Sequence, residues 1–455
     1  MLRILFLVTI ISITAPLPAA AQETFTSGDM KMTLDPENVW LPSSVQWKGV
    51  EILDPKMGVN HFFTSFEFRN KYYRVENKNA WAGQKDPRFA TDAGPVTTER
   101  IAGENMAGLA ARYENSYARI ERAMTVSGGD KGNAFRVYYA ITAKRDIVIH
   151  ETEMFGASVL LNAAFTSRNV YDAREAEGGL LTVEGKGASE VTADILSESC
   201  ASFVAPESKT GVVATATGTW SGGAAGPTMA VIKTGQKIEL LLVLQCLDAE
   251  SPRLTKDVLT LGKATPPERR AYALVRTARA LMQLKKPDEA EKALLKAAEL
   301  NREYATPYAM LAAIRRDFKT TGTLNQTEAW VEGAYRSPYN YGYILSGSGF
   351  WKEKGLTEEQ RRLAVFNMLA AVENTQFYAD YYIWAARPFE EMKMYAQACA
   401  MYRQALWAVD RMPRAEEHKE KCRKQFREKI AELEKKLTEE NYTAMPPMVP
   451  VRVGK

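Results

Sequence analysis

The hydrophobic period of this chain changes once, at "TPPERRAYALVRTARALM", and that change divides it into two differently built halves. Upstream, from about Thr24 to Leu261, the apolar residues alternate or run in blocks of strand length. "YARIERAMTV" (Tyr117–Val126), "AFRVYYAITA" (Ala134–Ala143), "DIVIHETEM" (Asp146–Met154) and "KIELLLVLQC" (Lys237–Cys246) are such blocks, and turn-forming stretches such as "SGGDKGN" and "SGGAAGP" separate others like them. No segment with a convincing helical period interrupts this region. The expectation is an antiparallel β-sandwich, and about 235 residues with no internal linker favour one large sandwich over two of ordinary size. Pro266 and Pro267 end the β region, and from there apolar and small residues recur at helical spacing.

In the helical half, "LVRTARALMQLKKPDEAEKALLKAAEL" has Ala278 at a small position and Leu281 at a large one in its first helix. "KKPDEA" is the turn, and Ala290, Leu294 and Ala297 repeat the small, large, small order in the second helix. This resembles the tetratricopeptide repeat (TPR), whose unit of about 34 residues is two antiparallel helices. The sequence departs from that pattern at Arg302, where the family usually has Pro, although Pro307 follows at the next helix start. "YYIWAARPFEEMKMYAQACAMYRQALWAV" fits a second unit, with Tyr382, Ala386 and Phe389 on one helix and Ala398, Tyr402 and Ala405 on the other. Between them Pro307, Tyr308, Leu311 and Ala312 begin a further unit that drifts into the Gly- and Ser-rich "RSPYNYGYILSGSGFW". The final helix carries Cys422, Phe426, Ile430, Leu433 and Leu437 on one stripe, as a helix closing a solenoid does. The expected fold class is therefore multidomain β plus α: a β-sandwich over 22–263, a TPR-like α-helical solenoid over 264–440, and an extended tail over 441–455.

The first 21 residues read as a secretory signal peptide. Arg3 supplies the positive charge, "ILFLVTIISI" the short apolar core, and Ala19 and Ala21 the A-x-A pattern, with cleavage after Ala21. The apolar run is too short to span a bilayer comfortably, no cysteine follows it as in a lipoprotein, and there is no second long apolar segment. A periplasmic or secreted location is expected, with no transmembrane segment once the signal is removed. A net charge of +4 with interleaved acids and bases lacks the concentrated basic stripe of nucleic-acid binding, so no nucleic-acid partner is expected.

Four cysteines in an exported chain invite pairing, and four allow three connectivities. Cys200 with Cys246 and Cys399 with Cys422 are the simplest within-domain disulfides; the alternative is buried thiols acting as small hydrophobes. No C-x-x-C occurs, so neither a zinc site nor a thioredoxin-like centre is expected, and no metal or other cofactor is implied.

Catalytic signatures are sparse: no G-x-S-x-G elbow, phosphate loop or H-E-x-x-H is present. Only His61, His150 and His418 could serve as a nucleophile's base, and His418 lies among charges on the last helix. In "MGVNHFFTSFEF", strand alternation puts Phe62, Thr64, Phe66 and Phe68 on one face and His61, Phe63, Ser65 and Glu67 on the other. The second face is mixed polar and aromatic, where a ligand could lie. Downstream, Tyr73 and Trp81 stand among Asn, Lys, Arg and Glu, a composition suited to stacking on sugar rings while planar polar groups take the hydroxyls; the alternative is that Trp81 anchors a long loop onto the sandwich. His61, Phe63, Glu67, Tyr73 and Trp81 are the candidate ligand contacts.

"GVEILDPKMGVNHFF" at the head of this large β region is similar to the way galactose mutarotase-like supersandwich domains begin, and that resemblance implies carbohydrate chemistry without reproducing a catalytic signature. Two functions follow. The first is a non-catalytic adaptor, with a protein or peptide partner on the TPR-like superhelix and a glycan or protein on the sandwich. The alternative is a carbohydrate-active enzyme, a lyase or epimerase, using His61 with Glu67 or a nearby Tyr as acid and base.

Overall fold

The structure, a computed structural model, describes residues 22–36, 40–54, 59–62, 96–114, 118–129, 132–149, 156–175, 178–185, 190–194, 199–221, 230–336, 355–374, 379–410 and 416–437. The signal peptide expected over 1–21 and the tail expected over 441–455 lie outside them, as do Phe63, Glu67, Tyr73, Trp81 and His150.

Alternation builds the first half. One antiparallel sheet contains β6 (Thr97–Gly103), β7 (Met106–Glu114), β8 (Ala118–Ser127), β9 (Asn133–Ala143), β12 (Ser167–Asp172), β13 (Gly179–Glu184), β15 (Ser199–Ala205), β16 (Thr210–Trp220) and β18 (Lys237–Asp248). Their order is β13-β12-β15-β16-β18-β9-β8-β7-β6, so the longest strands occupy the centre. On β18, Ile238, Leu240, Leu242, Leu244 and Cys246 are buried and point to one face, while the residues between them point to the other. Phe135, Val137, Tyr139 and Ile141 do the same on β9.

That apolar face is covered by a second layer. β1 (Glu23–Ser27), β2 (Met30–Asp35), β3 (Leu41–Trp47) and β4 (Val50–Glu51) pack against β7, β8 and β9. The sheet β14 (Glu190–Asp194), β11 (Gly156–Leu160), β5 (Val59–Phe62) packs against β16 and β18. The two pieces are joined where Leu53 bridges Leu161, with Asp54 N–H donating to Leu160 O at 2.9 Å. A turn at Lys48 and Gly49 joins β3 to β4; both have positive φ (50° and 80°), as a tight hairpin of this twist requires. A short pair, β10 (Ile147–Ile149) with β17 (Ala230–Ile232), completes the sandwich.

The β region ends earlier than its sequence indicates. β18 stops at Asp248, and Arg253–Lys263 forms α1, a helix laid on the outer face of β12, β15 and β16. The block "VLTL" reads as strand, but Leu254 and Val258, four residues apart, are the buried pair that seats a helix.

Eight further helices follow among the described residues: α2 (Arg270–Gln283), α3 (Pro287–Leu300), α4 (Thr306–Phe318), α5 (Gln326–Arg336), α6 (Glu358–Asn374), α7 (Ala379–Glu391), α8 (Tyr395–Val409) and α9 (Glu416–Glu434). The α2/α3 and α7/α8 pairs turn in the same way. Lys285 and Lys393 take left-handed φ values of 58° and 60°. The next residue's N–H reaches back five positions in each, Lys286 to Leu281 O (2.9 Å) and Met394 to Phe389 O (2.8 Å). This is a helix-terminating motif that satisfies carbonyls at the helix end. Its recurrence marks a repeated helix hairpin. On α9, Phe426, Ile430 and Leu433 are buried and Cys422 is half-buried. No helix among the described residues is long and apolar enough to cross a membrane.

The four cysteines are free thiols, contrary to the expected pairing. Cys200 aligns with Thr215, and Thr215 with Val243, three residues from Cys246. The two cysteines therefore sit on opposite faces of the sheet with β16 between them, two strand spacings of about 4.8 Å apart and beyond the roughly 7 Å Cα limit of a disulfide. Cys399 Sγ contacts Ile430 O at 3.9 Å. Cys422 lies eight residues before Ile430 on α9, about 12 Å of helical rise away.

Candidate functional site

With one face of the large sheet sealed by the second layer, the other is where this half meets its surroundings. The pairing register places its side chains. Arg136 on β9 lies opposite Val243 on β18, and Tyr138 opposite Leu241; across β16, Thr215 and Thr217 continue the same two rows. Helix α1 rises on one side. Between it and the floor runs a groove of about 280 Å³, with Val213, Thr215, Val243 and Gln245 below and Asp257, Thr260 and Leu261 on the wall. Arg253 closes one end, donating to Gln245 Oε1 at 2.9 Å and to Asp257 Oδ2 at 3.3 Å. An apolar floor with a few convergent polar groups is what small-ligand sites share.

Further along the same face, toward the start of β18, Tyr138, Lys237 and Glu239 form a hydrogen-bonded cluster. The Tyr138 hydroxyl donates to Glu239 Oε1. Lys237 Nζ donates to the same oxygen at 2.8 Å and to the Tyr138 oxygen at 3.3 Å. Desolvation, then the bond to Glu239, pushes the tyrosine hydroxyl above its ordinary pKa. Lys237, then Tyr138, hold the Glu239 carboxyl below the usual carboxylate range. The Lys237 ammonium rises, chiefly through Glu239. Each shift fixes the protonation that the group already has at neutral pH. The cluster is therefore a set of fixed donors and acceptors, suited to holding a ligand, whereas acid–base catalysis calls for a group poised near the working pH. Burial likewise pushes the Cys200 and Cys246 thiols up to about 12, far from a reactive thiolate.

Of the residues singled out in the sequence, His61 and His418 lie away from this face. His61 lies on β5, its backbone paired with Ala157, in the layer on the far side of the large sheet from the open face. Phe63, Glu67, Tyr73 and Trp81 lie outside the described residues. His418 is exposed on α9, with Nε2 3.6 Å from Cys422 Sγ. Sequence reasoning passed over Arg136, Tyr138 and Glu239, although the signal was present: in "AFRVYYAITA" and "KIELLLVLQC" they occupy the positions between the buried ones.

The helical array offers a second surface. Between its repeated hairpins, Arg336 stacks over the Tyr308 ring at 4.3 Å while its Nε donates to Arg302 O at 2.8 Å. Tyr335 reaches from α5 to Glu359 on α6 at 2.5 Å. A buried ion pair, Arg315 with Glu291, organises the α4–α5 loop: Arg315 Nε donates to Leu324 O (2.9 Å) and Glu291 Oε1 accepts the Thr323 N–H (3.1 Å).

No protein-family model matches this sequence, and no curated protein matches it significantly. Among solved structures, it is similar to a TPR-domain protein from Parabacteroides distasonis, at 10% identity and a TM-score of 0.27, covering 94% of this chain and 89% of that one. A galactose mutarotase-like protein from Lactobacillus casei overlaps 50% of this chain and all (100%) of its own, at 9% identity and a TM-score of 0.28. MamA from Desulfovibrio magneticus overlaps 36% of this chain and 95% of its own, at 13% identity and a TM-score of 0.25. These likenesses are loose, and the fold rests on the chain's own elements.

Proposed function

We propose that this protein is an exported, non-catalytic binding protein, with a protein or peptide held by the helical array and a carbohydrate held on the open face of the sandwich. The observation that carries the first part is the repeated helix hairpin, with its shared turn at Lys285 and Lys393. Stacked hairpins form extended surfaces whose natural ligands are other chains. Support for the second part is the open face itself. The Tyr138 ring beside Leu241 offers an apolar surface for a sugar, and Glu239 and Lys237 offer charged partners for its hydroxyls.

Protein binding is tested by immobilising the full chain, capturing saturable partners from an extract of the source cells, and mapping cross-links by mass spectrometry. Cross-links concentrated on α4 to α8 support the reading; no saturable partner, or cross-links confined to the sandwich, would count against it. Carbohydrate binding is tested on an array of polysaccharides with the wild type and Tyr138→Ala. A bound glycan should be lost in the variant, and equal binding by both would remove the open face from consideration. Export is tested by sequencing the N-terminus of protein recovered outside the cytoplasm, expected to start at Gln22; an intact Met1 there would contradict signal cleavage.

A further inference from the structure

Two domains joined in one chain move independently by default unless their interface is extensive and well packed. Here the junction is the β12–β13 hairpin, and it is tied to helices on both sides. On the sandwich side, the Tyr171 ring lies directly under α1: a Cβ at Gly262 would fall 2.1 Å from Tyr171 Cγ, so only glycine permits the approach. On the array side, the fully buried Thr277 of α2 uses one hydroxyl twice. Its Oγ1 accepts the Ala173 N–H at 3.0 Å and donates to Tyr171 O at 3.2 Å.

Further links surround this one. Arg168 on β12 donates to Gln283 Oε1 at the end of α2 (3.0 Å), and Arg270 at its start donates to Ala173 O (3.4 Å). Arg174 grips Asp172 within the hairpin, with Nε to Oδ1 at 2.9 Å and a terminal nitrogen to Oδ2 at 2.6 Å. Its other terminal nitrogen reaches Glu289 on α3. Removing the array would leave the Ala173 N–H and the Tyr171 carbonyl without these partners, and buried backbone groups left unmade are costly.

We propose that the β12–β13 hairpin couples the two halves into one cooperative unit, linking α1, the wall of the open-face groove, to the first hairpin of the helical array through Tyr171 and Thr277. Loosening either half then loosens the other, and anything that stabilises one half stabilises both.

The test is hydrogen exchange of the full chain at increasing urea, read on peptides from β16 and β18 and from α3 and α8. In the wild type, the two sets should lose protection at one urea concentration. In Thr277→Val, which keeps the shape but removes both hydrogen bonds, the helical peptides should open earlier than the sheet peptides, by about 0.5 M urea for an effect of this kind. Arg174→Ala, half-buried at the surface, should separate them in the same sense by less, and it decides the matter if Thr277→Val does not fold. Gly262→Ala, which acts from the sandwich side by displacing the Tyr171 ring, should weaken protection in α2 and α3 as well as in the sheet. Separate transitions in the wild type would overturn the proposal, as would coincident transitions retained in both Thr277→Val and Arg174→Ala.

Discussion

The sandwich and the helical array both hide apolar surface, but with different side chains and different consequences. In the sandwich, β18 buries Ile238, Leu240, Leu242 and Leu244 on one face, and strict alternation leaves the other face free to carry Tyr138, Glu239 and the groove. In the first hairpin of the array the buried residues are largely alanines, among them Ala278, Ala280, Ala290, Ala293 and Ala297, so its helices can approach closely. A large side chain fills the first core; close backbone approach makes the second. Each half should therefore fail under the opposite kind of substitution.

The largest effect is expected where the array departs from that rule. Arg315 and Glu291 are a charged pair almost wholly out of water, and Arg315→Ala would strand the carboxylate. Losing one member of a buried pair costs about 3–5 kcal/mol, to be read as a lowered urea midpoint, and a cost below about 1 kcal/mol would mean that water reaches Glu291. Next comes Leu242→Ala, which cuts a cavity in a site 1% exposed and should cost about 3 kcal/mol. Its counterpart is Ala278→Leu, at a fully buried position of α2, where overpacking should cost about 2 kcal/mol. If Ala278→Leu proved neutral, the contrast between the two cores would be wrong.

Smaller effects test the open face. The Glu239 carboxyl is held below its ordinary pKa by Lys237 and Tyr138, so the folded state favours its charged form. Its contribution is present above the ordinary carboxylate pKa and is lost as pH falls through the lowered folded value. The stability difference between wild type and Glu239→Gln should thus be a few tenths of a kcal/mol at neutral pH and vanish on acidification. A difference that grows in acid would contradict the assigned charge. Smallest of all, thiol titration should find the buried Cys246 unreactive in the native chain and all four cysteines free in denaturant.

Much of the fold was legible because its signals are local. The alternation of β18, the change from strand to helix and the "LKKP" turn each show within a dozen residues, although the first helix begins at Arg253 and not after Pro266. α1 was missed because "VLTL" is too short to reveal its period, and only the sheet surface beneath Leu254 and Val258 decides it. The cysteine pairing failed for a different reason: strand order and face are global, and neither Cys200 nor Cys246 reveals that β16 lies between them. The Tyr138, Lys237 and Glu239 cluster is likewise assembled by the register of β9 with β18, across about 100 residues of chain that spacing alone cannot span. His61 drew attention through rarity, which is a property of composition and not of place.

Binding through the helical array is the proposed activity on which the rest depends. The most direct measurement is cross-linking mass spectrometry on partners captured by the immobilised full chain, with competition by free protein. The account predicts saturable capture, abolished by competitor, with cross-links on α4 to α8. Saturable capture whose cross-links fall only on the sandwich, or no competable partner at all, would contradict it.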